Sequence, residues 1–245
     1  MPKQSGLGDN LYVGGYDLSG DIGSIGSVSG GPKPLEITGI DKSGYERLGG
    51  TRDGALEFTA FFNPDPAQAH PVLSALPTAD QIVSYFRGTT LGNGGASMVG
   101  KQIGYDPTRN EDGSLTFKVA AQSNGFGLEW GRMLTAGKRT DSAPTNGTGV
   151  DLVTVSTSFG WQAYLHVFAF AGTSVTVTLQ DSADDISYVN LAGGAFAAAT
   201  GIGSQRLAGA GGATVRRYVR AITSGTFSNA VFAVLFVRNE VAVVF

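Results

Sequence analysis

The chain has 245 residues, of which 42% are hydrophobic and 15% are charged, so it can bury a substantial core and is not disordered by composition. Its net charge of -3 disfavours a protein that wraps around DNA, because phosphate neutralisation would require a basic surface. The absence of cysteine excludes disulfides, thiolate catalysis and cysteine-bound zinc. The polar first ten residues lack the apolar segment of a secretory signal, and the sequence therefore predicts synthesis in the cytoplasm.

The first part of the chain is predicted to form a β-rich domain over 1–141. Alternating apolar and polar residues at 55–62 and 114–121 indicate two half-buried strands, because successive side chains of a strand point to opposite faces. Two Gly-rich segments, 11–34 and 88–112, lack such a pattern. They are predicted to be long loops, which in compact domains are usually functional.

A single helix is predicted near 78–87. Thr78 and Gln81 match a capping box, and Gly88 follows the last turn. The predicted apolar face, which would pack on a sheet or on a neighbouring subunit, consists of Ile82, Val83 and Phe86.

A polar segment rich in turn residues, 142–149, is predicted to link the first domain to a second one over 150–245. The chain before the linker carries 12 basic and 15 acidic residues, whereas residues 142–245 carry 5 of each and no lysine. Short apolar strands without helical periodicity predict a second β-sandwich or jelly roll. These strands are expected at 152–156, 162–170, 174–180, 215–222 and 230–238.

The sequence contains no recognisable catalytic set. Only His70 and His166 could serve a serine triad, no nucleophile-elbow motif surrounds a serine, and His166 lies in an apolar strand typical of a structural histidine. The chain is therefore predicted not to be an enzyme and to need no cofactor. Metal binding is not predicted either, and the weak candidates for ligands are Asp181, Asp184 and Asp185.

Basic and aromatic residues of the second domain favour structural roles. Strand alternation places Arg217 opposite Arg216 and Arg220, which favours cross-strand partners over a nucleic-acid patch. Trp130 and Trp161 could stack on sugar rings, but core positions are favoured for both.

Residues 35–62 carry a resemblance to a known family. A strand ending near Thr38-Gly39 is followed by a loop, by a Gly-x-x-Asp-Gly turn and by a Phe-rich strand, and the turn residues are Gly50, Arg52, Asp53 and Gly54. This order resembles the major tail proteins, or tail tube proteins, of long-tailed (siphovirus-type) actinobacterial bacteriophages, over roughly residues 10–135. The second domain resembles the extra carboxy-terminal β-sandwich of some such proteins, which is similar to galactose-binding jelly rolls.

The resemblance implies a mainly β fold, a tail-tube-type sandwich or barrel with one flanking helix and an outer sandwich. It also implies a structural virion protein that assembles into homohexameric rings. The stacked rings would form a hollow tube through which the genome is ejected. The implied partners are further copies of the chain, tape measure and tail terminator proteins, double-stranded DNA passing through the lumen without tight binding, and a host-surface glycan on the outer domain. No membrane partner is implied.

Two other interpretations stay open at the level of sequence. A carbohydrate-binding or adhesion module would explain the second domain, and a capsid decoration protein would suit the lack of catalytic residues. Concentration-dependent polymerisation would separate a tube subunit from the carbohydrate-binding module.

Overall fold

The computed structural model describes residues 5–76 and 79–242, with residues 102 and 103 described by their backbone alone. The predicted mainly β class is confirmed, since the described residues form one large antiparallel sheet system, one short helix (α1, Ala69–Leu73) and a 3-10 turn at Ser19–Asp21. The strands are β1 Asn10–Val13, β2 Tyr16–Asp17, β3 Ile22–Glu36, β4 Arg47–Phe61, β5 Gln81–Phe86, β6 Gly94–Arg109, β7 Leu115–Ser123, β8 Glu129–Met133, β9 Arg139–Asp141, β10 Val150–Asp151, β11 Trp161–Ser182, β12 Val189–Ala195, β13 Gly203–Ala208 and β14 Tyr218–Arg238.

The first half of the chain folds as two facing sheets. The front sheet has the order β3-β4-β7-β6, and the middle sheet has the order β2-β1-β5-β6-β8. Strand β6 belongs to both, because its first residues pair with β5 and its residues after a bulge between Gln102 and Gly104 pair with β7 alone. Alternate side chains of the two sheets meet in a shared core, as the period-2 pattern at 55–62 predicts; its largest members include Leu11, Leu56, Phe58, Met98 and Val119.

The second half forms a back sheet around two long strands, β11 and β14, which pair over almost their whole length. Three register shifts between Val167 and Ser174 bend this pair, as bulges do. One face of the back sheet has its own core around Trp161 and Phe232. The opposite face packs on the middle sheet through a third cluster that includes Tyr12, Phe86, Tyr164 and Leu235.

The helix predicted over 78–87 is wrong. Gln81–Phe86 is strand β5, which pairs with β1 on one side and β6 on the other, while Thr78 of the proposed capping box lies outside the described residues. Val83 faces the core between the front and middle sheets, and Ile82 and Phe86 face the back sheet. A strand buried on both faces has no polar alternation, so three apolar residues looked like the stripe of a helix.

The Gly-rich loops predicted at 11–34 and 88–112 are also wrong, because most of both segments lies in β1, β3 and β6. Part of the glycine content reflects close packing. Gly30 and Gly54 are register neighbours on β3 and β4, and a Cβ placed on either would lie 2.7 Å from Cβ of Leu128. Glycine is thus required where Leu128 closes over this end of the sandwich.

Residues 142–149 run along β14 in the structure. Gly147 donates a backbone hydrogen bond of 3.0 Å to Ala221, and Thr145 donates one of the same length to the Thr223 hydroxyl. The strand predicted at 152–156 is wrong, since β10 ends at Asp151, and the pairs of strands predicted at 162–180 and 215–238 are each one continuous strand. The division into 1–141, 142–149 and 150–245 stays a prediction.

Candidate assembly surface

The outer parts of β3 and β4 form a ribbon that we call the arm, residues 31–53. Strand β7 pairs with β4 only from Ala55 onward, so within the described chain the arm strands pair with each other alone. Nearly every side chain of the arm is exposed or half-exposed. A two-stranded ribbon of this kind is marginally stable in water unless a further surface packs on it.

The arm ends in an apolar tip. Its exposed large hydrophobic residues, with the exposed fraction of each, are Leu35 52%, Ile37 51%, Ile40 109%, Tyr45 71% and Leu48 56%. Thr38 closes the turn by accepting a 3.0 Å hydrogen bond from the Glu46 backbone, and the Arg47 guanidinium lies 4.9 Å from the Tyr45 ring centre. A group of exposed large apolar residues at the end of a ribbon is typical of a contact site.

The residues of the Gly-x-x-Asp-Gly motif lie in strand β4, and the turn predicted there is wrong because the hairpin turns at residues 37–46. Gly54 admits Leu128 and Gly50 admits the Leu35 side chain and a backbone carbonyl. Asp53 accepts hydrogen bonds from the Gly54 backbone and from Ser123, which lower its pKa. The motif therefore joins the arm to the sandwich.

A buried carboxylate, Glu129, anchors the base of the arm. Arg52 of the motif lies 3.7 Å from it, and Arg206 of β13 lies 3.4 Å from it. Glu129 also accepts a hydrogen bond from the Tyr164 hydroxyl, whose pKa is raised first by burial and then by the Glu129 charge. This network connects β4, β8, β11 and β13, and it was missed at the sequence level because nothing local marks Glu129 as buried.

Both edges of the front sheet are open within the described residues. Strand β3 pairs only with β4, and residues 101–109 of β6 pair only with β7. Three register shifts interrupt the β3–β4 pairing. Such bulges in an edge strand restrict where another chain can pair with it. Unpaired strand edges are templates for strand addition from another chain.

The solvent face of the front sheet carries mostly small and polar side chains, together with the half-exposed ring of Phe61. Its ionisable members on β4, β6 and β7 are two acids, Glu57 and Asp106, and two lysines, Lys101 and Lys118. The face is therefore balanced in charge, although the first 141 residues are slightly acidic overall.

The large apolar residues that alternate in segment 55–62 were expected to pack the first domain, and only some of them lie in its core. Leu56 and Phe58 are buried, whereas Phe62 is 42% exposed and stacks beside His70 and Phe117. The prediction that Trp130 is a core residue is wrong because it is 55% exposed, whereas Trp161 is fully buried.

His166 is a fully buried structural residue. Its Nδ1 accepts a 3.2 Å hydrogen bond from the Gly15 backbone, which leaves Nε2 to donate to the Ser84 hydroxyl at 2.8 Å. Burial lowers the pKa of His166 to about 3, so the ring is neutral at physiological pH. His70 bonds the Tyr105 hydroxyl at 3.0 Å, and neither histidine contacts a serine–carboxylate pair.

The described part of the chain contains no group of three or more side chains placed to bind a metal. Asp181 pairs with Arg216, Asp184 accepts hydrogen bonds from its own turn, and Asp185 accepts one from Tyr188. The three aspartates thus have separate partners. A cavity of about 460 Å³ beneath α1 is lined mainly by aliphatic side chains, and the polar side chains among its described lining residues are those of Tyr16 and Gln81.

No protein-family model and no curated protein matches the chain. Solved structures share part of the fold at low identity. A chain of the virion of a native gene transfer agent particle has a TM-score of 0.41 at 12% identity and covers 51% of this chain and 97% of its own. The Dit protein of phage SPP1 has a TM-score of 0.34 at 10% sequence identity, and the match covers 93% of this chain and 98% of the Dit chain. A chain of the phage p2 baseplate has a TM-score of 0.28 at 9% identity, and the match covers 95% of this chain and 99% of the baseplate chain. These values are too low for the likeness to carry an argument about function. No helix of the described residues is long and apolar enough to cross a membrane.

Proposed function

We propose that this protein is a structural subunit of a long-tailed bacteriophage tail, which assembles head to tail into stacked homohexameric rings that form the tail tube. The observation that carries the proposal is the front sheet, which has two open edges and extends into an arm with an apolar tip. The resemblance of residues 35–62 to major tail proteins supports the same function and supplies the number six.

The two edges suit a closed ring. Strand β3 of one copy would pair with residues 101–109 of β6 in the next copy, so that every front sheet becomes part of one continuous barrel. Each contact joins two different surfaces, and such heterologous contacts form rings when the rotation closes. Closure would satisfy the backbone groups of both edges.

The arm suits contact between rings. Its tip lies beyond the sandwich, and burial of the apolar residues there would release about 25 cal/mol per Å². A ring contact and an axial contact in one subunit produce a tube of defined bore.

The balanced, polar face of the front sheet would line this bore. Equal numbers of acids and lysines give phosphates no strong attraction, so that DNA would pass without tight binding. In this proposal the protein is made in the host cytoplasm, resides in the virion, performs no catalysis, and contacts tape measure and tail terminator proteins at the ends of the tube.

Negative-stain electron microscopy over a concentration series tests this proposal directly. Six-fold rings at low concentration and hollow tubes at high concentration are expected. A protein that stays monomeric at high concentration, with the arm intact by mass spectrometry, would contradict the tube function and favour the binding-module alternative.

A further inference from the structure

The cavity beneath α1 lies between the front and middle sheets and has a volume of about 460 Å³. Phe58 and Val119 line it from the front sheet, and Val13 and Val83 line it from the middle sheet. Residues 71–73 of α1 complete the lining on a third side. All of these side chains are hydrocarbon, so the cavity has apolar walls on three sides.

Helix α1 is held in place over the cavity at its first residue. The Ala69 backbone donates a 2.9 Å hydrogen bond to the buried carboxylate of Asp21, which also accepts a 2.8 Å hydrogen bond from the Asn63 side chain. Ala69 and Leu73 are themselves buried in the core. The walls are therefore fixed by the fold, as in most ligand pockets, which are largely formed before the ligand binds.

The polar side chains of the cavity lie together at one end, beside the turn between β1 and β2. Gly14 and Gly15 form this two-residue turn with φ of 60° and 94°, and the Gly15 backbone donates a 3.2 Å hydrogen bond to His166 of the back sheet. Tyr16 follows the turn directly. A Cβ on Gly14 would lie 2.6 Å from the side-chain oxygen of Gln81, so glycine leaves room for this amide at the same end.

These two polar groups can bond a ligand. Within the described part of the chain, neither the Tyr16 hydroxyl nor the Gln81 amide makes a hydrogen bond, and each can both donate and accept one. The described lining includes no acidic or basic side chain. A charged group in the cavity would lose its hydration without gaining an ion pair, so the polar end of a ligand must be neutral.

The volume and the walls together define the rest of the ligand. The cavity has roughly three times the volume of a cavity of about 150 Å³ that binds benzene, so a chain of about ten carbon atoms fits it. A polyhydroxylated molecule does not fit, because its hydroxyls would face hydrocarbon walls without partners. The aliphatic side chains at the arm tip of another copy would match the walls, but they would leave Tyr16 and Gln81 without a partner.

We propose that the cavity beneath α1 is a binding site for a medium-chain aliphatic molecule with one neutral polar end. The chain of the ligand lies between the two sheets and α1, and its hydroxyl or carbonyl group bonds Tyr16 and Gln81. Every described lining residue belongs to one chain, so the site does not depend on the proposed ring.

Calorimetric titration of the full chain at neutral pH tests the site with three probes. Octanol has the aliphatic chain and the neutral polar end, octanoate has the same chain with a charged end, and ethanol has the hydroxyl without the chain. Saturable binding is expected for octanol. Octanoate is expected to bind at least about tenfold more weakly because its charge finds no partner, and ethanol is expected not to bind.

Variants assign the binding to the cavity. Ala121 lines it from β7, and Ala121→Leu is expected to weaken octanol binding at least about tenfold because the larger side chain takes up the space of the ligand. Ala120→Leu is the matched control, since Ala120 is the preceding residue of β7 and lies on the opposite face of the strand. Tyr16→Phe removes one hydrogen bond and is expected to weaken octanol binding by a factor of about three to ten.

Thermal unfolding shows whether each variant is folded. If Ala121→Leu is misfolded, Val72→Phe fills the cavity from the side of α1 instead. No saturable binding of octanol, equal binding of octanoate, or the same loss in the cavity-filling variant and in Ala120→Leu would overturn the proposal. Octanol binding by Ile40→Asp but not by the wild type would also overturn it, because the arm tips of other copies would then occupy the cavity.

Discussion

Phe58 illustrates how a single buried side chain supports the front and middle sheets. It is 2% exposed and lies in the shared core, whereas Phe61 on the same strand is 49% exposed. Replacing Phe58 with Ala removes a large apolar side chain from a packed core and is expected to reduce the free energy of unfolding by about 3–5 kcal/mol. Urea denaturation measures this change, with Phe61→Ala as the control. Equal losses in the two variants would contradict the burial of Phe58.

His166 makes stability depend on pH. The pKa of His166 is about 3 in the folded protein and about 6.5 for a free imidazole side chain, so between these values the unfolded chain binds a proton that the folded chain does not. The free energy of unfolding therefore falls as pH decreases from about 6.5, with a slope from this residue of at most about 1.4 kcal/mol per pH unit. Below about pH 3 the contribution becomes constant.

Urea denaturation of wild type and His166→Gln between pH 4 and 7 isolates this effect, since the carboxylates titrate in both proteins. The stability advantage of the wild type is expected to shrink as the pH falls. A difference that stays constant over this range would mean that His166 is not buried as a neutral ring.

At the scale of elements, the arm gives the clearest prediction. Ile40 at its tip makes no buried contact, so Ile40→Asp should change the free energy of unfolding by less than about 0.5 kcal/mol. It should nevertheless prevent stacking, because a carboxylate would be buried in the contact between rings. Sedimentation and electron microscopy are expected to show rings without tubes.

Val155→Asp is the matched control, because Val155 is also an exposed aliphatic residue, at 78%, but lies outside the arm. Tubes from this control and rings from Ile40→Asp support the axial role of the arm. Tubes from both would remove the arm tip from the stacking contact.

The elements also show which local patterns carry information. Strand β4 could be predicted because one of its faces is buried and the other is exposed to solvent, so apolar and polar residues alternate along its sequence. Strand β5 could not, because both of its faces are buried by neighbouring sheets that come from distant parts of the chain. Glycines in β3 and β6 suggested loops, whereas Gly30 and Gly54 are needed for packing against Leu128.

At the scale of the whole molecule, the arm and the contacts of Glu129 depend on strands that are far apart in the sequence, so local sequence patterns could not predict them. The arm is recognisable only once β7 is seen to pair with β4 from Ala55 onward. Likewise, Glu129 becomes an anchor only when Arg52 and Arg206 converge on it from strands far apart in sequence. The sequence predicted a turn at the motif, whereas its residues lie in strand β4.

The proposed ring predicts a specific pattern of crosslinks. Since the chain has no cysteine, two engineered cysteines report on one contact alone. Ser27 on β3 and Gly104 on β6 lie at opposite ends of one row across the front sheet, through Glu57 and Ala120. Three strand spacings separate them by about 14 Å, which is too far for a disulfide within one chain.

Ser27→Cys is therefore combined with a cysteine at Gly104, Asp106 or Thr108 in turn, because the register between copies differs from that within a copy. After mild oxidation at ring-forming concentration, denaturing gels of the variant in register should show a ladder that ends at six chains, since a closed ring has no free edge. Pairing Ser27→Cys with Ser228→Cys on the back sheet controls for random collision, which gives no upper limit. A ladder that extends beyond six in the front-sheet variants would indicate that the open edges form a filament, and monomers in all three would show that these edges do not meet.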